Sequence, residues 1–310
     1  MKILVFGRGV IGTLYGWALA KAGHEVDFYV RPGRATTYGA VIPLAFLDAR
    51  TRLRGELVSE RWPVRFREDL PDDHDYDVIL LSVQHYRFVE AAAFLGPRTG
   101  KATVLVFNNF WVEPQAAAAP LPAGQLVWGF PRAGGGFDEE GVLHGALLPA
   151  VLFGTFGAAP TTRDIALRDA FRSAGFTIEE TRDFRSWLFT HFVLNSGLQL
   201  AALEAGSFPA ALSSKQHCRD MVLNVRELFP LLEARGVQPR GEATPFRLPA
   251  RLLGALLPLA LKASAPLRAV VDGHANMDEL RSTCRDVLAE ARRLGVPVPR
   301  LEAGSSLFAR

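Results

Sequence analysis

Three closely spaced glycines follow a short apolar run near the start of the chain. Residues 3–6 are Ile-Leu-Val-Phe, and Gly7-Arg8-Gly9-Val10-Ile11-Gly12 comes directly after them. In a G-x-G-x-x-G turn between a strand and a helix, the first glycine permits the tight turn, the second lets a pyrophosphate approach the backbone, and the third lets the helix pack on the strand. The phosphates would lie on N–H groups at the start of the helix. The alternative is a strand that only ends in glycines.

Two arginines stand where a dinucleotide-binding protein usually has an acid. Residues 24–30 predict a second strand, and Arg31-Pro32-Gly33-Arg34 follows it. An Asp or Glu here would bind the ribose hydroxyls of NAD, whereas Arg can form bidentate hydrogen bonds with the 2′-phosphate of NADP. We therefore expect Arg31 and Arg34 to favour NADP(H). The alternatives are solvent-exposed loop arginines, or a ribose contact from Asp27 inside the strand.

The elements that would position these residues divide the chain into two parts. Strand patterns alternate with helical ones up to about residue 182, and fully apolar runs such as those in residues 75–84 and 102–109 are typical of buried parallel strands. After that point the patterns are long and helical, over residues 184–204, 213–235, 249–262 and 275–294. The sequence predicts an α/β protein with a Rossmann-type doubly wound sheet in residues 1–182, followed by an all-helical domain in residues 183–310.

Composition excludes several classes of protein. The chain has 310 residues, with 49% hydrophobic and 22% charged, as in ordinary globular proteins. Its two cysteines do not form a disulfide framework, and no metal-ligand spacing is present. The apolar run 252–261 is too short to span a bilayer, and we see no signal peptide, so we expect a cytoplasmic protein without membrane or nucleic-acid partners. A net charge of +3 suits an anionic cofactor or substrate.

Several longer motifs resemble the ketopantoate reductase (2-dehydropantoate 2-reductase) family over nearly the whole chain. They are KILVFGRGVIG, DVILLSVQHY, VLVFNNFWVE, GFPRAGG, WLFTHFVLN and MDELRSTCRDVLAEARRLGVPVP. The resemblance implies a Rossmann domain joined to a helical domain, with the active site in the cleft between them. It also implies reduction of a 2-keto acid with NADPH.

The resemblance also assigns residues on the cofactor side of the site. Asn108 corresponds to the asparagine that follows the fourth core strand, close to the nicotinamide and the substrate, although Asn109 replaces the glycine that the family has next. Ser82, Val83 and Gln84 follow the third core strand and would contact the cofactor, with Gln84 where the family has a lysine.

On the substrate side, the family places a lysine on the first long helix of the second domain and an asparagine four residues later. Here that pair is His191 and Asn195, and no lysine occurs anywhere from residue 102 to 214. Glu279 lies sixteen residues before Gly295, as the family's substrate-hydroxyl glutamate does before its own glycine. Arg132, which we place in a glycine-rich turn after a strand, could hold a substrate carboxylate.

A histidine can replace the lysine as proton donor. An alkoxide that forms on hydride delivery needs a donor for its negative charge, and an imidazolium can supply a proton near neutral pH. Because one helical turn separates His191 from Asn195, both point to the same face. A nearby carboxylate would favour the cationic imidazole, and Glu279 is our candidate for it. The alternative is a structural histidine without a catalytic role.

Two functions follow from these residues. The first is an NADPH-dependent reductase of a small carbonyl compound, most simply a 2-keto acid, for which a homodimer is possible. The second is a non-catalytic NADP(H)-binding protein that kept the fold and lost the lysine. An opine-type or imine-type reductase on the same scaffold lies between them.

Overall fold

The computed structural model describes residues 1–273 and 276–309. The chain divides into two compact units, Met1–Phe184 and Arg185–Arg310, so the division falls at residue 184/185 where the sequence placed it at about 182. Each unit is described by itself below.

The first unit contains every strand found in the described residues, together with the first five α-helices. Its strands are β1 (Lys2–Phe6), β2 (Glu25–Tyr29), β3 (Val41–Asp48), β4 (Glu56–Pro63), β5 (Arg65–Arg67), β6 (Val78–Leu81), β7 (Thr103–Phe107), β8 (Leu126–Phe130), β9 (Ala133–Phe137), β10 (Leu143–Leu147), β11 (Ala150–Gly154) and β12 (Thr177–Thr181). Its helices are α1 (Val10–Lys21), α2 (Arg34–Tyr38), α3 (Phe88–Leu95), α4 (Pro114–Ala117) and α5 (Thr162–Ser173).

An eight-stranded sheet forms the centre of this unit, in the order β12-β11-β8-β7-β6-β1-β2-β5. The six strands from β8 to β5 are parallel to one another, and only the pairing of β8 with β11 is antiparallel. Strand β1 begins the chain and has β2 on one side and β6 on the other, so the direction of winding reverses there. The predicted doubly wound α/β fold is confirmed.

A second, four-stranded sheet in the order β4-β3-β10-β9 was not predicted from the sequence. Helix α1 lies between the two sheets: its side chains join the core cluster of both, and Trp17 meets Phe46 of β3 edge to face with ring centroids 5.0 Å apart. Eight consecutive residues of α1, Gly12 to Leu19, are buried. A helix covered on both sides needs no polar face, which is why its helical periodicity in the sequence is weak.

The glycine-rich run after Arg132 was predicted as a turn, and this prediction is wrong. Residues 133–137 are strand β9, paired antiparallel with β10 so that Gly135 stands opposite Gly145. A Cβ atom on Gly135 would lie 2.0 Å from the carbonyl oxygen of His144. The glycines are therefore required by the close approach of two backbones and not by a reversal of the chain.

The second unit is helical, as predicted. Its helices are α6 (Phe184–Ala205), α7 (Phe208–Ser213), α8 (Lys215–Glu227), α9 (Phe229–Ala234), α10 (Ala250–Ala263), α11 (Ala265–Asp272), α12 (Met277–Leu294) and α13 (Pro299–Ala303). In the described ranges, none of these helices is by itself long and apolar enough to cross a membrane, whereas α10 and α11 together satisfy the same length and composition test but are bent by 104°.

A buried carboxylate ties three parts of the first unit together. Asp27 of β2 is fully buried and accepts hydrogen bonds from Tyr76 Oη at 2.8 Å, Arg65 Nε at 2.7 Å and Arg67 Nε at 3.1 Å. Burial alone would raise the pKa of Asp27, but these three donors outweigh it and hold the pKa below its usual range. Its oxygens are committed to β5 and to the segment before β6, so the alternative that Asp27 binds a ribose is not supported.

We predict that Asp27→Asn lowers the free energy of unfolding at pH 7 by about 2–4 kcal/mol, because it leaves charged donors without their buried acceptor. A depressed carboxyl pKa stabilises the fold above the pKa of the unfolded chain and ceases to do so as the pH falls through the folded-state pKa. The gap between the two proteins should therefore close below about pH 4. Urea denaturation across pH measures both effects. The matched change Asp75→Asn removes an ion pair with Lys2 from a side chain that is 76% exposed, so it should lower the free energy of unfolding far less than Asp27→Asn does. Equal losses for the two variants would contradict this prediction.

The packing of α1 on β1 makes a second prediction. A Cβ atom on Gly12 would lie 2.6 Å from Val5 Cγ1, whereas a Cβ atom on Gly9 would come no closer than 3.9 Å to the carbonyl oxygen of Ser82. Gly12→Ala should therefore lower the free energy of unfolding by about 1–3 kcal/mol. Gly9→Ser, a good residue for the start of a helix, should leave it unchanged within about 0.5 kcal/mol. Thermal and urea unfolding of the two variants test the difference, and a stable Gly12→Ala protein would refute it.

Candidate active site

The predicted nucleotide-binding segments lie along one edge of the large sheet. Gly7 directly follows β1, Arg31 closely follows β2, Ser82 follows β6 and Asn108 follows β7. These four strands are parallel, so their carboxyl ends meet at the same edge. The edge includes the position beside β1 where the strand order reverses, which is where ligands bind in open α/β sheets. The first unit thus brings together predicted cofactor-binding residues from Gly7 to Asn108, which are 101 positions apart in the sequence.

The glycine turn has the geometry that a bound phosphate needs. Gly7 has a φ of 96°, which a residue with a side chain rarely adopts, and its N–H donates to the Tyr29 carbonyl at 2.9 Å. Gly9 directly precedes α1, which begins at Val10. In the described structure no side chain caps this helix start and its first turn has no acidic residue. The N–H groups at the start of α1 therefore suit the pyrophosphate of a dinucleotide.

Arg8, inside the turn, is held by the second sheet. Its guanidinium lies over the rings of Phe137 at 4.2 Å and Tyr38 at 4.9 Å, and it donates to the Gly141 carbonyl at 3.2 Å. Burial lowers the pKa of Arg8 from its usual value. These contacts fix the β9–β10 hairpin and α2 beside the glycine turn.

Asn108 connects two of the loops at this edge. Its side chain is 2% exposed, its Oδ1 accepts the Val83 N–H at 3.0 Å, and its Nδ2 lies 3.4 Å from the Asn109 carbonyl. The contact positions the Ser82–Gln84 loop relative to the end of β7. Asn108 therefore has a structural partner in addition to the predicted role at the nicotinamide and the substrate.

The two predicted phosphate-binding arginines are exposed. Arg31 lies in the loop after β2, and Arg34 begins α2. Neither guanidinium has an ion-pair or hydrogen-bond partner among residues 1–273 and 276–309. Both are available to an anionic group, as a 2′-phosphate site would require.

Arg132 also lies at this edge, after β8, but its guanidinium already has a carboxylate partner. Its Nη2 is 2.5 Å from Glu179 Oε2 of β12, and its backbone N–H donates to the buried Tyr15 hydroxyl at 2.9 Å. A substrate carboxylate would have to share or replace Glu179.

In the second unit, His191 is oriented from two sides. Its Nδ1 lies 2.9 Å from Glu242 Oε2, and its ring stacks on Trp187 with centroids 4.9 Å apart and planes at 11°. The carboxylate at this nitrogen is Glu242, in the short 3₁₀ helix Gly241–Arg247, which the sequence did not predict. The expected approach of Glu279 to His191 stays a prediction. The contact with Glu242 fixes one ring nitrogen and the orientation of the imidazole.

The other two predicted catalytic residues lie on adjacent helices of this unit. Asn195 is one turn after His191 on α6, and Glu279 lies in the first turn of α12, where its N–H is capped by Asn276 Oδ1 at 3.3 Å. The helices touch where Cys284 Sγ lies 3.6 Å from the Ser196 carbonyl. Burial raises the pKa of the Cys284 thiol to about 12, so it stays neutral and carries no nucleophilic chemistry. His274, three residues before α12 in the sequence, is a further candidate to cap this helix and lies outside the described residues.

Two acidic residues at these sites were missed from the sequence. Glu242 stands 51 residues after its partner His191 in an irregular segment, and Glu68, just after β5, contacts the loop that contains Arg31 and Arg34 by accepting the Ala35 N–H at 2.7 Å. No periodicity or motif marks either residue, because each owes its position to elements that are distant in sequence.

The chain is similar to known proteins in sequence and in fold. The sequence model of the family "Ketopantoate reductase PanE/ApbA" matches residues 3–157. An uncharacterized oxidoreductase of Bacillus subtilis (strain 168), YkpB, is 24% identical over 177 residues; this covers 55% of the chain and about half, 54%, of YkpB.

Solved structures show the same fold over the whole chain. A PanE/ApbA family ketopantoate reductase from Ralstonia eutropha JMP134 superposes with a TM-score of 0.70 and 21% identity, covering 100% of this chain and 97% of the other. A 2-dehydropantoate 2-reductase from Geobacter metallireducens GS-15 gives 0.70 and 18%, covering 100% and 99%. D-mandelate dehydrogenase, in a ternary structure with NADH and anilino(oxo)acetate, gives 0.74 and 13%, covering 100% and 97%. With half of its length matched by the family model, the chain belongs to the PanE/ApbA ketopantoate reductase family.

Proposed function

We propose that the protein is an NADPH-dependent reductase of a small carbonyl compound, most simply a 2-keto acid. The observation that carries the proposal is the meeting of the glycine turn, the Arg31–Arg34 loop, the Ser82–Gln84 loop and Asn108 at one edge of a parallel sheet. A nicotinamide cofactor bound there supplies a hydride to the substrate carbonyl. The family and the NADH-bound D-mandelate dehydrogenase structure support a nicotinamide cofactor in general.

The first unit would hold the cofactor through its own backbone and cations. The uncapped start of α1 binds the pyrophosphate, while Arg31 and Arg34 bind the 2′-phosphate by charge-assisted hydrogen bonds. Asn108 keeps the loop after β6 in place for the remaining contacts.

His191 would supply the proton that the forming alkoxide needs. With Nδ1 held by Glu242, the proton would leave from Nε2, and the carboxylate stabilises the imidazolium until the transfer takes place. Asn195 would form a hydrogen bond with the substrate oxygen from the same face of α6. Glu279 would accept a hydrogen bond from a hydroxyl of the substrate. Arg132 is the candidate for the substrate carboxylate, in exchange with Glu179.

A second candidate function is a non-catalytic NADP(H)-binding protein. The observation in its favour is the absence of lysine from residue 102 to 214, where the family has its proton donor. An opine-type or imine-type reductase is a third, and a panel of keto acids and cyclic imines with NADPH separates the three. The homodimer and the cytoplasmic location stay predictions from the sequence.

The arginine pair leads to a prediction on cofactor preference. The protein should bind NADPH more tightly than NADH, and Arg31→Ala should weaken NADPH by about 1–3 kcal/mol while leaving NADH almost unchanged. Titration of cofactor fluorescence gives all four dissociation constants. An exposed arginine elsewhere, changed as Arg52→Ala, serves as the control for net charge. Equal affinity of the unmutated protein for the two cofactors would refute this assignment.

For the proton donor, we predict that His191→Ala lowers turnover about 10²–10⁴-fold, the usual contribution of a general acid, with NADPH affinity close to unchanged. The rate of the unmutated protein should fall as pH rises and the imidazolium loses its proton. Glu242→Gln should also lower turnover, because the carboxylate that fixes Nδ1 of His191 is replaced by an amide. His191→Lys should retain activity and extend it to higher pH.

The control for His191→Ala is His24→Ala, since His24 precedes β2 at the opposite edge of the sheet. If His191→Ala lowers only the melting temperature and leaves turnover per folded molecule intact, His191 is a structural histidine. The proposed catalytic role of His191 is then wrong. The proposed cofactor preference is tested separately, by the affinities of the Arg31→Ala variant.

A further inference from the structure

An acidic residue that follows another strand, Glu68, contacts the segment that contains Arg31 and Arg34. Glu68 stands directly after β5, which is the edge strand parallel to β2, and the Val30 N–H donates to the Arg67 carbonyl at 2.8 Å. This pairing brings the ends of the two strands together. Glu68 Oε1 then accepts the Ala35 N–H at 2.7 Å, so its carboxylate lies at the start of α2, directly after the loop that follows β2.

The carboxylate is ionised in this position. Hydrogen bonds from the backbone N–H groups of Ala35, Gly33 and Arg34 hold the pKa of Glu68 below its usual range. Its side chain is only partly covered by the protein, and no ion pair joins it to Arg31 or Arg34 within the described ranges. The loop thus presents one anion and two cations that do not neutralise one another by direct contact.

The two kinds of charge serve different cofactors. In dinucleotide-binding sheets, an acid at the end of the second strand accepts hydrogen bonds from the ribose hydroxyls of NAD, while an arginine accommodates the 2′-phosphate of NADP. The end of β2 itself has no acid, since Arg31 follows Val30 there. Glu68 puts a carboxylate at the same loop by way of β5, and a 2′-phosphate bound by Arg31 and Arg34 would meet this negative charge nearby.

We propose that Glu68 is a specificity-determining residue for the cofactor: it binds the adenosine ribose hydroxyls of NADH, opposes the 2′-phosphate of NADPH, and so limits the preference that Arg31 and Arg34 create. This inference rests on the proposed function, because it assigns the ribose end of the nicotinamide cofactor to this loop. It predicts a protein that uses both cofactors, with a modest preference for NADPH.

The test uses fragments that carry only the adenosine end, adenosine 5′-monophosphate and adenosine 2′,5′-bisphosphate, together with NADH and NADPH. Binding of each to the full chain is measured by calorimetry for the unmutated protein and Glu68→Gln. Glutamine keeps an oxygen that can accept the Ala35 N–H, so the loop is retained while the charge is lost. The control is Glu56→Gln, a change of the same charge on β4 at a side chain that is 62% exposed.

We expect Glu68→Gln to tighten the bisphosphate and NADPH by about 3–10-fold and to weaken the monophosphate and NADH by a similar factor, since a charge–charge repulsion and a charged hydrogen bond are removed together. Glu56→Gln should change neither. If Glu68 only supports the loop, Glu68→Gln weakens all four ligands equally, and that result would overturn the inference. An unchanged ratio between the two fragments would overturn it as well.

Failure of the proposed function has a different signature. In that case neither NADH nor NADPH binds the unmutated protein, whatever residue 68 is. The thermal unfolding of Glu68→Gln, measured without ligand, identifies a variant that fails to fold, and Glu68→Asp then provides the second variant: it keeps the charge and should keep the ratio.

Discussion

Helix α1 can lie between two sheets only because it approaches β1 at van der Waals distance. Gly12 and Gly16 face Val5, and a Cβ atom at either position would come within 2.6 Å and 3.2 Å of its methyl groups. This close approach brings the start of α1 down to the end of β1, where the N–H groups that suit a phosphate are needed. It also lets the opposite side of the helix be covered by the four-stranded sheet, through contacts such as that of Trp17 with Phe46. The nucleotide turn and the second sheet therefore depend on the same two glycines.

The parallel direction of the central strands brings the predicted cofactor-binding segments of the first unit together. Because β5, β2, β1, β6, β7 and β8 run the same way, every segment that follows them emerges at one edge. Local contacts then set the distances within this edge. Asn108 joins the loops after β6 and β7, and the buried Asp27 network holds β5 to β2. Because β5 is held against β2 in this way, Glu68 reaches the segment that contains Arg31 and Arg34. The sequence of that segment gives no sign of this contact.

The proposed proton donor of the second unit is positioned in a different way. His191 lies on a long helix, but its orientation comes from a stacked Trp187 on the same helix and from Glu242 in an irregular segment. An imidazole held at Nδ1 by a carboxylate has a defined tautomer and orientation. The proposed replacement of the family's lysine by His191 thus involves a second residue, Glu242, which only the fold identifies.

The sequence by itself determined the class of fold, the glycine turn, the arginine loop and the helical second part, because these depend on local backbone preferences and on burial patterns that repeat along the chain. It did not predict the four-stranded sheet: β9 consists mainly of glycines, and their role, the contact with β10 at Gly135 and Gly145, exists only once the strands are paired. Nor did it predict which acids stand beside His191 and beside the arginine loop. Charged side chains have no periodic signal, and Glu242 and Glu68 reach their partners through pairings across 51 and 33 residues. The tertiary structure decided both contacts, since a carboxylate interacts with whichever group the packing of the elements places within a few ångströms of it.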